Sequence, residues 1–466
     1  MSPAVTLSLF GRSNYPSDRD NGGVWSGRGL SFQIAGGFGG SLGPIRYGFF
    51  PALRWSQNRE VAVADTSLAD YSPYAYPWEA TTIDWPQRMG STPLMGASIG
   101  QSYIELTSFW DAAVGISSEN IWWGTSRRYP MLLGATSEGF PHLYIRSPTV
   151  GLGPLRFIAR AVSGKLTESE YFDQNPDNNS NVLSTLRLEI GLKGLPGAQV
   201  ALTSMVRQRW YSGLSINDLL EQLVPTSTSQ GGEMDKVADA VGAITLMLPV
   251  TSIGVQLYGT WGRDDFFLDA EDLLTEPDHS QFWSVGLHRE WKHSKDASRW
   301  SFDVEHASSI ASTPQLGTVR GPNAMGSKTI YRHTGSKQGH TQRGQLLGPS
   351  IGPGTLATYV ALERALSSSY TGMLVERILW DQDTYKRDVL NGSPEGEDRE
   401  WLFAGRFGTN LDIAGIEKIQ LEAFGGLSLR WNRQYIRFTG DLQEQPERES
   451  NLWLDLRLAW TPWAER

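Results

Sequence analysis

Hydrophobic side chains recur at every second position in segments of about ten residues, the spacing of strands that are apolar on one face. Near the end of the chain Leu452, Leu454, Leu456, Leu458 and Trp460 alternate with Trp453, Asp455, Arg457 and Ala459. Leu186, Leu188, Ile190 and Leu192 alternate likewise with Thr185, Arg187 and Glu189, and Trp300, Phe302 and Val304 with Ser301, Asp303 and Glu305. A soluble sandwich shows the same alternation, so the connections must discriminate. Strands are predicted near 4–11, 30–38, 45–55, 101–109, 113–121, 142–148 and 155–165, and onward in the same rhythm. Tight turns fall at 39–44, Trp110-Asp111, 151–154, 194–197, 249–252, 292–296, 366–369 and 409–415. Long loops fall between them: around Asp18–Gly22, from 56 to 100, after Ile121, and at 168–180, 212–236, 263–280, 307–354, 381–398 and 439–450. A sandwich has no reason to keep its long loops on one edge. The rhythm predicts an all-β fold: a single transmembrane antiparallel β-barrel of about 18 strands, with both termini on the short-turn side. Short periplasmic turns and long extracellular loops that close the lumen complete the expectation.

Composition supports one barrel over 1–466 rather than the two or three domains that 466 residues of soluble protein would suggest. No apolar run approaches the roughly 18 residues of a membrane-spanning helix. Cysteine is absent, which excludes disulfides and thiolate metal sites. A net charge of −9 argues against nucleic acid as a partner. Met1–Val5 lacks the basic and apolar regions of a leader, so an exported chain is expected to have its signal peptide outside this sequence. Arg187, Glu189, Asp303, Glu305, Lys418, Glu422, Asp455 and Arg457 are predicted to face the lumen, mixed in sign and paired with one another. A barrel of this size can enclose an aqueous channel, so the loops decide whether it is open.

The long loops carry the unusual chemistry. The third holds Glu119-Asn120-Ile121-Trp122-Trp123-Gly124-Thr125-Ser126-Arg127-Arg128-Tyr129, followed by Gly139-Phe140-Pro141-His142. The first holds Asp20–Gly29 with Trp25; Tyr258–Asp265 opens another; the longest ends in Arg343-Gly344-Gln345-Leu346-Leu347-Gly348. Each mixes glycine with Arg or Asp as a directional hydrogen-bonding group. The segment from Ser117 to Gly124 with Gly139–Leu143 resembles the signature of the Wzi-type capsule-assembly outer-membrane proteins. The other three segments are similar to that family's remaining blocks, in the same order. The resemblance spans essentially the whole chain. It implies a closed barrel of about 18 strands that attaches capsular polysaccharide to the cell surface in a lectin-like manner. Family members also carry a signal peptide and a helical periplasmic region.

The expected function is a non-catalytic surface protein of the bacterial outer membrane, its long loops outside, that binds and retains capsular or other extracellular polysaccharide. Outer-membrane lipid or lipopolysaccharide would surround it as a monomer. Trp122, Trp123, Arg127, Arg128, Tyr129, Asp264 and Arg343 are the candidate polysaccharide contacts: aromatic faces meet sugar C–H groups, and charged groups meet hydroxyls and uronates. Trp25, Gly124, Phe140, His142 and Gly344 are expected to lock the loops into a plug, a role Trp122 and Trp123 can share because large aromatics more often fill space than bind ligand. The alternative is a porin for small solutes. A more distant one is an outer-membrane hydrolase using His142 or His340, but no nucleophile context accompanies either histidine. Asp264-Asp265 lacks a spaced set of further oxygen ligands. No metal, cofactor or catalytic residue is expected.

Overall fold

The computed structural model describes residues 2–64, 66, 70–78, 81–210, 238–264, 278, 280–293, 298–312, 330–389, 396–413, 416–439 and 446–461. The predicted loop 212–236, most of 263–280, Asp265 and the tips of the turns near 294–297 and 414–415 lie outside the described residues.

Each strand pairs antiparallel with the next, from Ser2–Arg12 against Gly29–Leu42 to Ile416–Trp431 against Arg448–Trp460. The last pairs with the first, Val5 opposite Trp460 and Arg12 opposite Trp453, which closes the cylinder. Three strands are interrupted, so the 21 segments of the sheet make 18 barrel strands. The breaks have local causes. Pro51 has no N–H to donate, and it separates Ile45–Phe49 from Ala52–Ser56. Opposite it, Gly100 sits at φ +59°, where a Cβ would fall 2.1 Å from the Phe50 carbonyl oxygen. Leu94–Ser98 pairs with Ala52–Ser56, although its small residues hide the alternation and it reads as loop in the sequence. The strand predicted over 113–121 ends earlier, at Ala113–Ser117, because Ser118 hydrogen-bonds to the Gly100 carbonyl and the chain turns inward.

The alternation maps onto lipid and lumen. Val5, Leu7, Leu9, Ile244, Leu246, Leu248, Leu452, Leu454 and Leu458 are exposed on the outer wall. Phe109, Trp110, Trp291 and Trp460 ring the short-turn end, and Trp401 and Phe403 lie towards the other, as in a membrane barrel's aromatic girdles. Inside, tyrosines lie over glycines of the neighbouring strand: Tyr258 over Gly286, Tyr144 over Gly115 and Tyr370 over Gly408. A Cβ at these glycines would come within 2.1–2.7 Å of the ring, so the abundant strand glycine makes room for aromatics. At the seam, Arg12 pairs with Asp455 and lies over the Trp453 ring.

Connections at one end are short (43–44, 108–112, 153–154, 193–194, 251–254, 366–368), and both termini lie there. At the other end 13–28, the described residues of 57–93, 118–141 and 330–355 fold over and into the barrel. The main apolar core therefore lies in the long-loop half, where Ile83, Trp123, Tyr129, Met131, Leu132, Leu133, Phe140, Tyr331 and Leu347 pack against wall residues such as Val162, Leu183, Met205 and Phe282.

Candidate functional site: a loop cap over a charged lumen

The cap is built from the loop that carries the paired tryptophans. Asn120 donates to the carbonyls of Gly134 (3.2 Å) and Ser137 (2.9 Å), which closes the base of the loop, and Trp123 N donates to Leu133 O (3.0 Å). This turns Trp123 inward, where it is buried. Trp122 on the opposite face stays 42% exposed, its Nε1 held by Ser126 O at 3.1 Å. Gly124 (φ +133°) comes close to the Thr260 hydroxyl, Thr125 donates to Leu246 O, and Ser126 shares a hydrogen bond with Ser284.

Two wall carboxylates hold the next turn. Glu305 accepts the backbone N–H groups of Arg127 (2.8 Å), Arg128 (3.2 Å) and Tyr129 (2.6 Å), and the Tyr258 hydroxyl at 2.9 Å. Successive amides converging on one anion form a nest. Glu376 accepts Arg19 (2.8 Å), Arg128 (2.9 Å) and the Tyr129 hydroxyl (2.6 Å); Arg19 reaches on to Glu400 at 3.2 Å, and Arg128 to Asp20 at 2.9 Å. Burial opposes the Arg128 charge, but Glu376 and Asp20 outweigh it and raise its pKa. Burial, and then Glu376, raise the Tyr129 phenol, while burial also pushes Asp18 up to about 6.

The four sequence segments meet here. Gly22 N donates to Ala135 O, Gly134 N to Leu347 O, and Thr136 Oγ1 to Gly348 O. Gln345 reaches Asp18. Tyr331 Oη donates to Met131 O (2.8 Å), and His340 Nε2 meets Leu132 O at 2.6 Å. His340 is fully buried, which lowers its pKa to about 3.

Below the cap lies a lumen cavity of about 750 Å³, lined on one side by Arg19, Asp20, Arg127 and Arg128 and on the wall by Arg54, Arg406, Glu422, Asp455 and Arg457. Its guanidiniums are paired: Arg54 with Glu138, Arg127 with Asp303 (3.0 Å), Arg406 with Glu363 (3.3 Å) and Arg457 with Glu422 (3.5 Å). Arg187 likewise pairs with Glu189, and Asp455 with Arg12. Glu305 differs from the pairing expected of it, since backbone amides and a phenol take its oxygens.

Of the residues singled out in the sequence, Trp25, Trp123, Phe140, His142 and Asp264 are buried. Trp25 donates to Asn58 (3.2 Å), and His142 Nδ1 meets Phe140 O at 2.8 Å. Gly344 (φ +77°) fits closely against Pro86 and Met89. Asp264 lies beside the Arg207–Asp239 pair. Arg128 and Tyr129, both candidate polysaccharide contacts, point into the protein, because Glu305 and Glu376 draw that turn inward. Arg343 and Arg127 keep side chains 56% and 48% exposed, Arg343 paired with Glu138 at 2.9 Å. Sequence reasoning missed Arg19, Glu376 and Glu400; the inward register of Glu376 was the available signal. Among the described residues no three His, Cys, Asp or Glu side chains cluster as a metal site.

No family model and no curated protein matches the sequence. Among solved structures, the chain is similar to Wzi, an outer-membrane protein of Escherichia coli, at 10% identity and a TM-score of 0.57, covering 99% of this chain and 85% of that one. Pseudomonas aeruginosa OccK2 follows at 9% identity and 0.45, covering 99% and 97%, and Acinetobacter baumannii OccAB2 at 12% and 0.42, covering 99% and 98%. At such identities the Wzi likeness is one of fold: an outer-membrane-type barrel of 18 strands.

Proposed function

We propose that this chain is a capped outer-membrane barrel that retains capsular or other extracellular polysaccharide at the cell surface, without catalysing its chemistry. The observation that carries the reading is the apolar cap: three loops bury a shared core inside the long-loop end, which suits a binding platform better than an open passage. The long loops then face the exterior, and the apolar band of a monomer sits among outer-membrane lipid and lipopolysaccharide. The neighbouring Wzi structure is described as a carbohydrate-binding β-barrel involved in group 1 capsule assembly, which is in keeping with this reading. Retention comes from many weak contacts, since one long polymer bridges many barrels and avidity does the holding. Arg343 has the most exposed side chain of the candidate contacts. Cells expressing Arg343→Ala are expected to release more polysaccharide into the medium at unchanged barrel abundance. A deletion strain that keeps as much surface polysaccharide as its parent would sink the proposal.

The lumen cavity favours a second reading, a pathway for small solutes. Planar-bilayer recording separates the two. Steady open conductance in the intact protein supports the pathway, and a closed baseline supports the platform.

A further inference from the structure

Near its long-loop edge the lipid-facing wall turns from apolar to basic. The strands Ser369–Leu379, Arg399–Ile413, Ile416–Trp431 and Arg448–Trp460 pair in order, and their outward positions form level rows. Val375, Phe403, Leu427 and Leu452 make an apolar row. Two residues towards the long loops the row reads Arg377, Trp401, Leu429 and Ser450, and two further it reads Leu379, Arg399, Trp431 and Arg448. The Arg377 guanidinium lies over the Trp401 ring (5.9 Å) and that of Arg399 over Trp431 (5.1 Å), while Trp401 stacks on Phe403 (6.3 Å). Arg399 and Arg448 are exposed. The carboxylates next to these arginines point the other way, into the barrel: Glu376 holds Arg19 and Arg128, Asp398 holds Arg430, Glu400 holds Arg19, and Glu449 holds Arg433. Among the described residues no carboxylate stands within ion-pair distance of Arg377, Arg399 or Arg448. A guanidinium on the lipid face is costly at mid-depth and tolerated close to the headgroups, the level at which indole rings also collect.

We propose that Arg377, Arg399 and Arg448 bind the phosphates of a lipopolysaccharide molecule in the leaflet at the long-loop end. Guanidinium forks match phosphate oxygens, the Trp401 and Trp431 faces meet the sugar scaffold between the phosphates, and the acyl chains run down over Phe403 and Leu452. The spread of the arginines selects this lipid over a phospholipid, whose phosphodiester is a single anionic centre. Arg399 and Arg448 lie two strands apart, about 10 Å between backbones, and Arg377 is on the strand beyond Arg399. Such spacing suits separate phosphates carried on a disaccharide. The choice of leaflet rests on the long loops facing the exterior, as proposed above, whereas the phosphate chemistry does not.

Fluorescently labelled deep-rough lipopolysaccharide, which carries phosphorylated lipid A with almost no polysaccharide, is titrated with the purified, folded barrel in nonionic detergent and followed by anisotropy. Polysaccharide retention therefore cannot produce the signal. The expected result is saturable binding that weakens as salt rises. Affinity should drop about fivefold in Arg399→Gln and in Arg448→Gln, and on the order of a hundredfold when Arg377→Gln is added to both, with heat-modifiable migration unchanged. Arg46→Gln, which removes an arginine 60% exposed inside the short-turn end, should bind as wild type does. Should the triple variant fail to fold, the two single variants carry the comparison. Equal affinity in wild type and both folded single variants overturns the site, and so does an equal loss in Arg46→Gln, which would reduce the effect to net charge. Phosphatidylglycerol that displaces the probe as well as unlabelled lipopolysaccharide does overturns the choice of lipid. The chain has no cysteine, so Arg343→Cys reads the leaflet separately: labelling of intact cells by a bulky maleimide supports it, and labelling only after the outer membrane is opened overturns it.

Discussion

Replacing Glu305 with leucine tests whether the amide nest holds the cap. The side chain accepts four hydrogen bonds, of 2.6, 2.8, 2.9 and 3.2 Å, from three consecutive backbone amides and the Tyr258 hydroxyl. Leucine keeps the approximate volume and removes every acceptor. Arg127 is half-exposed towards the lumen cavity, so water can reach its amide and that of Arg128. The Tyr129 amide and the Tyr258 hydroxyl are buried and lose about 1–3 kcal/mol each when left unpaired, or about 2–6 kcal/mol together. Glutamine keeps one acceptor oxygen and gives up the charge-assisted component, which is worth about 1 kcal/mol per bond. The two variants should therefore rank. Glu305→Leu is expected to loosen 118–141, seen as protease cleavage within that loop and as channel openings in planar bilayers, while the barrel retains heat-modifiable migration. Glu305→Gln should fall between it and wild type. A Glu305→Leu protein as closed and as protease-resistant as wild type would refute the nest as the anchor.

Glu376→Gln leaves Arg19 and Arg128 without the carboxylate they share, and breaking such a buried pair costs about 3–5 kcal/mol; urea unfolding followed by tryptophan fluorescence should show that loss, whereas Arg343→Ala should shift the midpoint by less than about 1 kcal/mol. The paired tryptophans should separate, with Trp123→Ala losing about 3–5 kcal/mol through the cavity it leaves and the half-exposed Trp122→Ala clearly less, as read from thermal melts of the two folded variants. A pH effect follows from Glu168. Its folded-state pKa of about 9 lies above the ordinary 4.5, so the folded protein holds a proton that the unfolded chain has lost, and stability falls as pH rises through that window. His340, lowered from 6.5 to about 3, has the opposite slope, but only below 6.5. The melting temperature should therefore decline from pH 6.5 to 9, and Glu168→Gln should flatten the decline.

The barrel was legible because lipid and lumen impose a period of two on every strand, and because long loops gather at one end. Val5, Leu7 and Leu9 and the opposing Leu454 and Leu458 announce the outer wall from either terminus. The interruption opposite Pro51 was not legible, since Leu94–Ser98 has too little contrast to show a face. Within the cap, sequence marked the right segments without resolving their orientations. Trp122 and Trp123 differ in fate because Asn120 and Leu133 set the turn of the loop, and neither effect shows in composition. Arg128 and Tyr129 look like surface residues until Glu305 and Glu376, some 176 and 247 positions away from Tyr129, are placed beside them. The inward register of a carboxylate tells where it points. What it meets there depends on which loop folds back.

The seam between the first and last strands has a kinetic consequence. Arg12 and Asp455 are 443 positions apart in the chain, so their contact carries a heavy loop-closure entropy, and non-local pairing of this kind forms slowly. A nascent chain lacking Arg448–Trp460 would present two unpaired edges, and hydrocarbon tolerates neither. Partial barrels are therefore barred from the bilayer, and insertion has to wait for the final strand. The thirteen residues of that strand would then act as a completeness check on synthesis, a truncated product being expected to stay outside the membrane.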